Sequence, residues 1–165
     1  MKIAVIGTGY VGLVTGVVFA DLGNDVVCVD KDEAKVNRLR AGDMPIYEPG
    51  LEELVLRNVD EGRLVFTTDI DTAVRRSDVV YICVGTPPKD DGSTDMSQVE
   101  GAARSIAASM DRYKVIVNKS TVPVGTAALL TIELTNLAGF VPNLAWNPEF
   151  LREGTALEDS LNPDR

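Results

Sequence analysis

The amino-acid sequence predicts an α/β domain built on a doubly wound, mostly parallel sheet. Six short apolar runs, mostly β-branched and bounded by Gly, Asp, Asn or Ser, alternate with longer segments of helical periodicity. Strands that are apolar at successive residues need cover on both faces. An alternation of strands and helices implies right-handed crossovers and parallel pairing. The length of 165 residues fits one such domain.

The elements follow one another along the whole chain. The predicted strands are Ile3–Ile6, Val26–Val29, Leu64–Phe66, Val79–Val84, Val115–Val117 and Leu144–Trp146. The predicted helices are Val11–Leu22, Asp32–Ala41, Leu51–Asn58, Asp71–Arg75, Met96–Met110 and Thr126–Leu137, with a short helical stretch after Glu149. Gly23 and Gly42 follow three-turn patterns where a left-handed residue closes a helix, and Asp95 is expected as the N-cap of the fifth helix.

Composition and charge exclude several classes of protein. Sixteen Lys and Arg stand against 25 Asp and Glu, which gives a net charge of −9. The longest basic run is Arg75-Arg76, so binding to nucleic acid or to an anionic membrane is not expected. The apolar stretch Val11–Ala20 is interrupted by glycines and too short to span a bilayer, and a cytoplasmic location is therefore expected.

The titratable side chains limit the possible chemistry. The chain has no histidine, so a zinc site is not expected, and acid–base work must use carboxylates, Lys, Tyr or hydroxyls. Cys28 and Cys83 lie in apolar runs without an adjacent base, which indicates small buried side chains instead of a disulfide framework or a nucleophile.

Two Pro- and Gly-rich stretches, residues 44–50 and 85–92, are predicted to be loops, and the second directly follows a buried strand. Loops at the carboxyl ends of parallel strands form the ligand crevice of such sheets.

The strongest local motif is G-x-G-x-x-G at residues 7–12, directly after the first strand and at the start of a helix. Gly7 permits the tight turn, Gly9 allows the backbone to approach a pyrophosphate, and Gly12 allows close packing of helix on strand. The backbone N–H groups of Tyr10 and Val11 would face the phosphates. Asp30 ends the second strand at the spacing of the dinucleotide fingerprint, and together these features predict a Rossmann-type domain.

Asp30 favours NAD as the cofactor, because a carboxylate accepts hydrogen bonds from free ribose hydroxyls and repels the 2′-phosphate of NADP. Lys31 and Lys35 leave NADP open, since either cation is able to accommodate a phosphate or to remain solvated. FAD shares the same glycine motif, although nothing else in the sequence asks for a flavin.

Five motifs in one order make the sequence more specific: GYVG at 9–12, YEPGL at 47–51, ICVGTP at 82–87, STVPVGT at 120–126 and NPEFLREG at 147–154. With them the whole chain resembles the NAD-binding domain of the UDP-glucose/GDP-mannose dehydrogenase family. The resemblance implies a domain at residues 1–165 that lacks the family's central helix and C-terminal substrate domain. It also implies a homodimer or larger assembly for a full-length enzyme.

The implied reaction is oxidation of the C6 alcohol of a nucleotide sugar, UDP-glucose in the first place, to a carboxylate with two NAD⁺ and a cysteine thioester. The family's nucleophilic cysteine lies beyond the matched region, so the chain alone is expected to be inactive. GDP-mannose remains an alternative substrate. A non-catalytic nucleotide-binding module, from a different class, remains open as well.

The resemblance also assigns residues. Thr121 and Glu149 would be catalytic, with Glu149 the general base for thioester hydrolysis. The expected cofactor contacts are Gly7, Gly9, Tyr10, Val11, Gly12, Asp30, Lys35, Val84, Gly85, Thr86, Pro87, Thr121 and Glu153. The expected substrate contacts are Glu149, Phe150, Leu151, Arg152 and Glu153. Independently, Glu149 and Glu153 are four residues apart and would share a face if they lay in a helical turn.

Overall fold

The computed structural model describes residues 1–139 and 142–163. They form a six-stranded sheet of order β3-β2-β1-β4-β5-β6 in which every pairing is parallel. The strands are β1 (Lys2–Ile6), β2 (Asp25–Val29), β3 (Leu64–Thr67), β4 (Val79–Ile82), β5 (Val115–Asn118) and β6 (Asn143–Trp146). The helices are α1 (Tyr10–Asp21), α2 (Glu33–Arg40), α3 (Leu51–Asp60), α4 (Ile70–Arg76), α5 (Ser97–Ser109), α6 (Thr126–Ala138) and α7 (Ala156–Leu161). The predicted fold class is confirmed.

Two layers of helices cover the sheet. Helices α1, α2, α3 and α7 contribute the apolar side chains on one face, where Leu13, Val17 and Phe66 are buried together. Helices α4, α5 and α6 contribute those on the other face, where Val74, Ile106 and Leu134 are buried. The chain changes face between β1 and β4, which are neighbours in the sheet. The crevice at the carboxyl ends of these two strands is the usual ligand position in such folds.

Most predicted boundaries lie within two residues of the observed ones. Strand β4 ends at Ile82 and not at Val84, although the N–H of Cys83 still donates to the carbonyl oxygen of Ile6 (2.8 Å). Gly23 and Gly42 have φ of +87° and +81°, which confirms the predicted left-handed closures.

One cap prediction was wrong by a residue. The N-cap of α5 is Met96, although the carboxylate of Asp95 still accepts a hydrogen bond from the backbone N–H of Ser97 (2.9 Å). The predicted loops at 44–50 and 85–92 lie outside helices and strands. Among the described helices, none is long and apolar enough to cross a membrane.

Candidate functional site

The turn between β1 and α1 is built around two crowded glycines. Gly7 has φ of +102°, and a Cβ there would lie 2.6 Å from the carbonyl oxygen of Cys83. A Cβ on Gly12 would lie 2.0 Å from the carbonyl oxygen of Gly7. Real Cβ atoms do not approach oxygen so closely, so both positions require glycine for α1 to pack against the ends of β1 and β4.

Gly9 lies in the same turn but in open space. A Cβ at Gly9 would meet no heavy atom of the described residues within 4 Å, and its φ and ψ of −67° and −174° suit any residue. Glycine is therefore not required there by the fold, and its missing side chain leaves the first turn of α1 accessible. The N–H groups of that turn have no partner within the helix. This arrangement fits a dinucleotide pyrophosphate.

Asp30 follows β2 and turns its carboxylate toward the glycine-rich turn. Its Oδ2 accepts hydrogen bonds from the Thr8 hydroxyl (2.6 Å), the Thr8 backbone N–H (3.0 Å) and the Lys35 ammonium (2.8 Å). Its Oδ1 accepts from the N–H of Asp32 (3.1 Å). Burial raises the pKa of Asp30, but hydrogen bonds from Lys35 and Thr8 outweigh burial and lower the pKa to about 2. The carboxylate is therefore ionised and fixed in place.

Lys35 is not a solvated lysine, since its side chain pairs with Asp30 and is 26% exposed. The pair leaves Asp30 Oδ1 with a single protein donor among the described residues, and that oxygen is able to accept from a ribose hydroxyl. Lys31 is exposed. The positive charge beside Asp30 belongs to a residue already paired with it, and this weakens the case for Lys35 as a phosphate ligand.

A cavity of about 630 Å³, which we call the nucleotide cavity, connects these residues. It brings together six of the predicted cofactor contacts: Gly7, Gly9, Asp30, Lys35, Val84 and Gly85. Tyr10, Val11 and Gly12 belong to the adjoining first turn of α1. Thr86 and Pro87 continue the loop after Gly85 and do not belong to the described lining.

A second cavity of about 630 Å³ lies between α1 and the segment after β6. Four of the predicted substrate contacts line it: Glu149, Phe150, Leu151 and Arg152. Lys119, directly after β5, also lines it, and its ammonium lies 3.4 Å from the side-chain oxygen of Asn147. The structure thus places six of the predicted cofactor residues in one cavity and four of the predicted substrate residues in another.

Residues 147–155, which we call the segment, are not helical. Glu149 and Glu153 therefore do not lie in a helical turn, which was the condition for their sharing a face. Glu149 Oε1 accepts a hydrogen bond from the N–H of Leu151 (2.7 Å), so the side chain competes with helical hydrogen bonding. Gly154 has φ of +90°, which directs the chain into α7 at Ala156.

Thr121 and Glu153 are exposed and line neither of the two cavities in the described structure. Thr121 is nevertheless held near the loop after β4, because the Ser120 hydroxyl donates to the carbonyl oxygen of Val84 (2.7 Å). Arg152 is paired with Asp159 of α7 through two of its nitrogens (2.5 and 3.1 Å).

Glu48 is a buried carboxylate that the sequence analysis did not single out. It is 5% exposed and accepts hydrogen bonds from the Tyr10 hydroxyl (2.5 Å), the Gly154 N–H (2.7 Å) and the Ala156 N–H (2.8 Å). Burial raises its pKa, but these hydrogen bonds lower the pKa of Glu48 below its ordinary value. Burial and Glu48 also raise the pKa of Tyr10, which keeps the phenol protonated as a donor.

Thr8 and Lys119 were missed as well. Both stand beside residues that the motifs did identify, and no periodicity marks them. In the sequence, Glu48 is marked only by its place in YEPGL, a motif that indicates the family and no particular chemistry.

Both cysteines are buried, as predicted. Cys28 packs against α1 so tightly that a Cβ on Gly16 would lie 2.4 Å from its sulfur. Burial raises the pKa of Cys28 above its ordinary value and that of Cys83 to about 12. Neither thiol is ionised near neutral pH, which agrees with the prediction that neither is a nucleophile.

Comparison with known proteins gives a consistent result. Residues 1–165 match the model of the UDP-glucose/GDP-mannose dehydrogenase family, NAD binding domain. The chain is 58% identical to a UDP-glucose 6-dehydrogenase of Rhizobium meliloti and covers 38% of it, so it spans little more than a third of that relative.

Two solved structures superpose closely. A UDP-glucose dehydrogenase from Pyrobaculum islandicum is 48% identical with a TM-score of 0.93, and the match covers 99% of this chain and 39% of that one. A GDP-mannose dehydrogenase ternary complex from Pseudomonas aeruginosa is 37% identical with a TM-score of 0.95, again over 99% and 39% of the two chains.

Proposed function

The chain belongs to the UDP-glucose/GDP-mannose dehydrogenase family, and from that premise we propose that it is the cofactor-binding part of a UDP-glucose 6-dehydrogenase. The cofactor is NAD, because the matching family model is that of an NAD-binding domain. The observation that carries the proposal is the nucleotide cavity, in which the open glycine turn and the carboxylate of Asp30 line the same space. A cytoplasmic enzyme of this kind would oxidise the C6 alcohol of UDP-glucose to UDP-glucuronate.

When bound, NAD⁺ supplies a hydride acceptor. The reaction converts one alcohol, two NAD⁺ and one water into one carboxylate, two NADH and three protons. This chain's part is to hold the dinucleotide at the first turn of α1. The open turn at Gly9 accommodates the pyrophosphate, and Asp30 accepts hydrogen bonds from the adenosine ribose. The side wall formed by Val84 and Gly85 borders the same cavity, with Thr86, Pro87 and Thr121 beyond it.

Glu149 is assigned the role of general base for hydrolysis of the acyl-enzyme, and Thr121 that of a hydroxyl that holds water or the reacting oxygen. Glu149 is half-buried and lines the second cavity together with Lys119, so a carboxylate and a cation face one space. Phe150, Leu151 and Arg152 line that space too and are assigned to the sugar. Glu153 is assigned to the nicotinamide end of the cofactor.

The nucleophilic cysteine and the nucleotide-recognising domain would come from outside this chain. Both cysteines in it are buried thiols with raised pKa values, so we expect residues 1–165 alone to form no thioester with UDP-glucose and NAD⁺. Mass spectrometry of the incubated chain tests this, and a covalent sugar on either cysteine would contradict it.

The decisive experiment uses the complete gene product that contains this chain. Stopped-flow NADH absorbance and acid-quench mass analysis are recorded with UDP-glucose and, in parallel, with GDP-mannose. For Glu149→Gln we expect a burst of NADH, a trapped acyl-enzyme and a steady-state rate lower by about 10²–10⁴-fold, the usual loss of a general base. Thr121→Ala should reduce burst and steady state together. Turnover of GDP-mannose alone would favour the second substrate.

A further inference from the structure

The Glu48 side chain contacts both the first residue of α1 and the end of the segment. Its three donors are 38, 106 and 108 residues away along the chain, so the contact exists only in the folded protein. A carboxylate this deeply buried needs its donors, because an ionised oxygen without hydrogen bonds is costly in an apolar setting. The position of Glu48 and the positions of its donors therefore depend on one another.

The two ends of this contact adjoin the residues that line the two cavities. Tyr10 begins α1, and its backbone N–H lies in the turn assigned to the pyrophosphate. Gly154 closes the segment that carries Glu149 and Glu153, and Ala156 begins α7. The Tyr10 hydroxyl lies a further 3.5 Å from the carbonyl oxygen of Arg152. The Tyr10 phenol and the Glu48 carboxylate thus form a continuous hydrogen-bonded link between the first turn of α1 and the segment.

We propose that Glu48 is a positioning residue that fixes the segment relative to the nucleotide cavity and, through Tyr10, tightens the segment when NAD⁺ binds. The proposal rests on the function proposed above, because it assigns Glu149 and Glu153 to the reaction. It adds a residue that touches neither cofactor nor sugar. Both Glu48 oxygens are required as acceptors. Oε2 accepts hydrogen bonds from the Tyr10 hydroxyl and the Gly154 N–H, and Oε1 accepts one from the Ala156 N–H.

The structure also explains why the contact can be broken without unfolding the chain. Leu151 and Leu157 pack against the apolar core on the same face of the sheet, so α7 and the segment have anchors besides Glu48. Glu48→Gln keeps the size of the side chain but replaces one acceptor oxygen with an amide donor. In either orientation of the amide, its NH₂ group replaces an oxygen that accepts a native hydrogen bond. At least one native donor then faces another donor. Glu52→Gln is the matched control, because Glu52 is exposed in the first turn of α3.

The experiment is amide hydrogen exchange of the purified chain with and without saturating NAD⁺, with calorimetric NAD⁺ titration of every variant. In the wild type, NAD⁺ should slow exchange in the peptide 151–157 at least threefold. Glu48→Gln should speed basal exchange in that peptide at least fivefold and abolish the NAD⁺ effect, whereas peptides in α6 stay unchanged. Tyr10→Phe leaves both backbone donors on Glu48, so basal exchange should stay within twofold while the NAD⁺ effect is lost.

A purely structural role predicts different results. If Glu48→Gln exchanges like Glu52→Gln in 151–157, or if Tyr10→Phe keeps the full NAD⁺ effect, the inference is wrong. If Glu48→Gln exchanges fast in every peptide, it has lost its fold, and the Tyr10→Phe variant decides alone. Failure of the proposed function is seen separately, as a complete wild-type enzyme that binds NAD⁺ but does not oxidise UDP-glucose.

Discussion

The glycine-rich turn and the segment after β6 both border the candidate site, yet different kinds of interaction hold them in place. The turn is fixed by steric contact, because the backbone at Gly7 and Gly12 lies so close to other backbone atoms that a Cβ fits at neither glycine. The segment has one apolar anchor in Leu151 and otherwise depends on polar contacts, with Glu48 accepting from Gly154 and Asp159 pairing with Arg152. A region held by packing resists small changes, whereas a region held by a few hydrogen bonds yields to the loss of one acceptor.

The largest difference between the regions should appear when a methyl group is added to each. Gly12→Ala places Cβ 2.0 Å from a carbonyl oxygen and should prevent native folding or lower the free energy of unfolding by more than about 3 kcal/mol. Gly154→Ala meets no heavy atom of the described residues within 4 Å and should cost about 1–2 kcal/mol for its positive φ. Urea unfolding followed by circular dichroism measures both. Equal losses would show that the segment is as tightly packed as the turn.

The next largest effect separates binding from folding within the turn itself. Gly9→Val adds a side chain in open space, so the fold should persist while NAD⁺ affinity falls by about 100-fold or more, which is about 2.7 kcal/mol. Calorimetric titration and circular dichroism give the two readouts. Ala128→Val on the exposed face of α6 is the control. Unchanged affinity in Gly9→Val would move the pyrophosphate away from this turn.

A smaller effect is expected at the ribose end of the turn. Wild type should bind NAD⁺ at least tenfold more tightly than NADP⁺, about 1.4 kcal/mol, because Asp30 is ionised and faces the cavity. Asp30→Asn should reduce that ratio toward one. Thr8→Val, which removes one donor from the same oxygen without changing the shape of the side chain, should reduce it severalfold. Competition titrations measure the ratio, and a Thr8→Val ratio equal to the wild type would remove Thr8 from this role.

The smallest effect is the pH dependence of stability. The folded pKa of Asp30, about 2, lies below the ordinary aspartate value of 3.8. Its stabilisation is therefore fully present above pH 3.8 and is lost as the pH falls toward 2. The pKa of Glu48 is also lowered, so the contact at the segment weakens in the same direction. Acid unfolding of Asp30→Asn and Glu48→Gln beside wild type measures the two contributions. A variant whose stability keeps the wild-type slope across pH 4 to 2 would exclude its carboxylate as a source.

Much of the turn could be predicted because its determinants are local. Gly7, Gly9 and Gly12 follow a strand, and Asp30 ends the next strand, so spacing along the chain carries the information. The element order and the parallel sheet could be predicted for the same reason, since apolar runs and helical periodicity repeat over short distances. The segment was predicted less well, because a helical spacing of Glu149 and Glu153 does not make a helix when Glu149 caps its own turn and Gly154 redirects the chain.

The sequence by itself determined the strands, the helices, the glycine-rich turn and the ionisable residue at its edge. Only the tertiary structure decided that Thr8 and Lys35 both donate to Asp30 Oδ2, that Lys119 shares a cavity with Glu149, and that Glu48 joins α1 to the segment. Steric demands of a turn act between neighbours in sequence and leave a fixed spacing. Hydrogen bonds between residues a hundred positions apart leave no such spacing, because they depend on which loops the strand order brings to the same edge of the sheet.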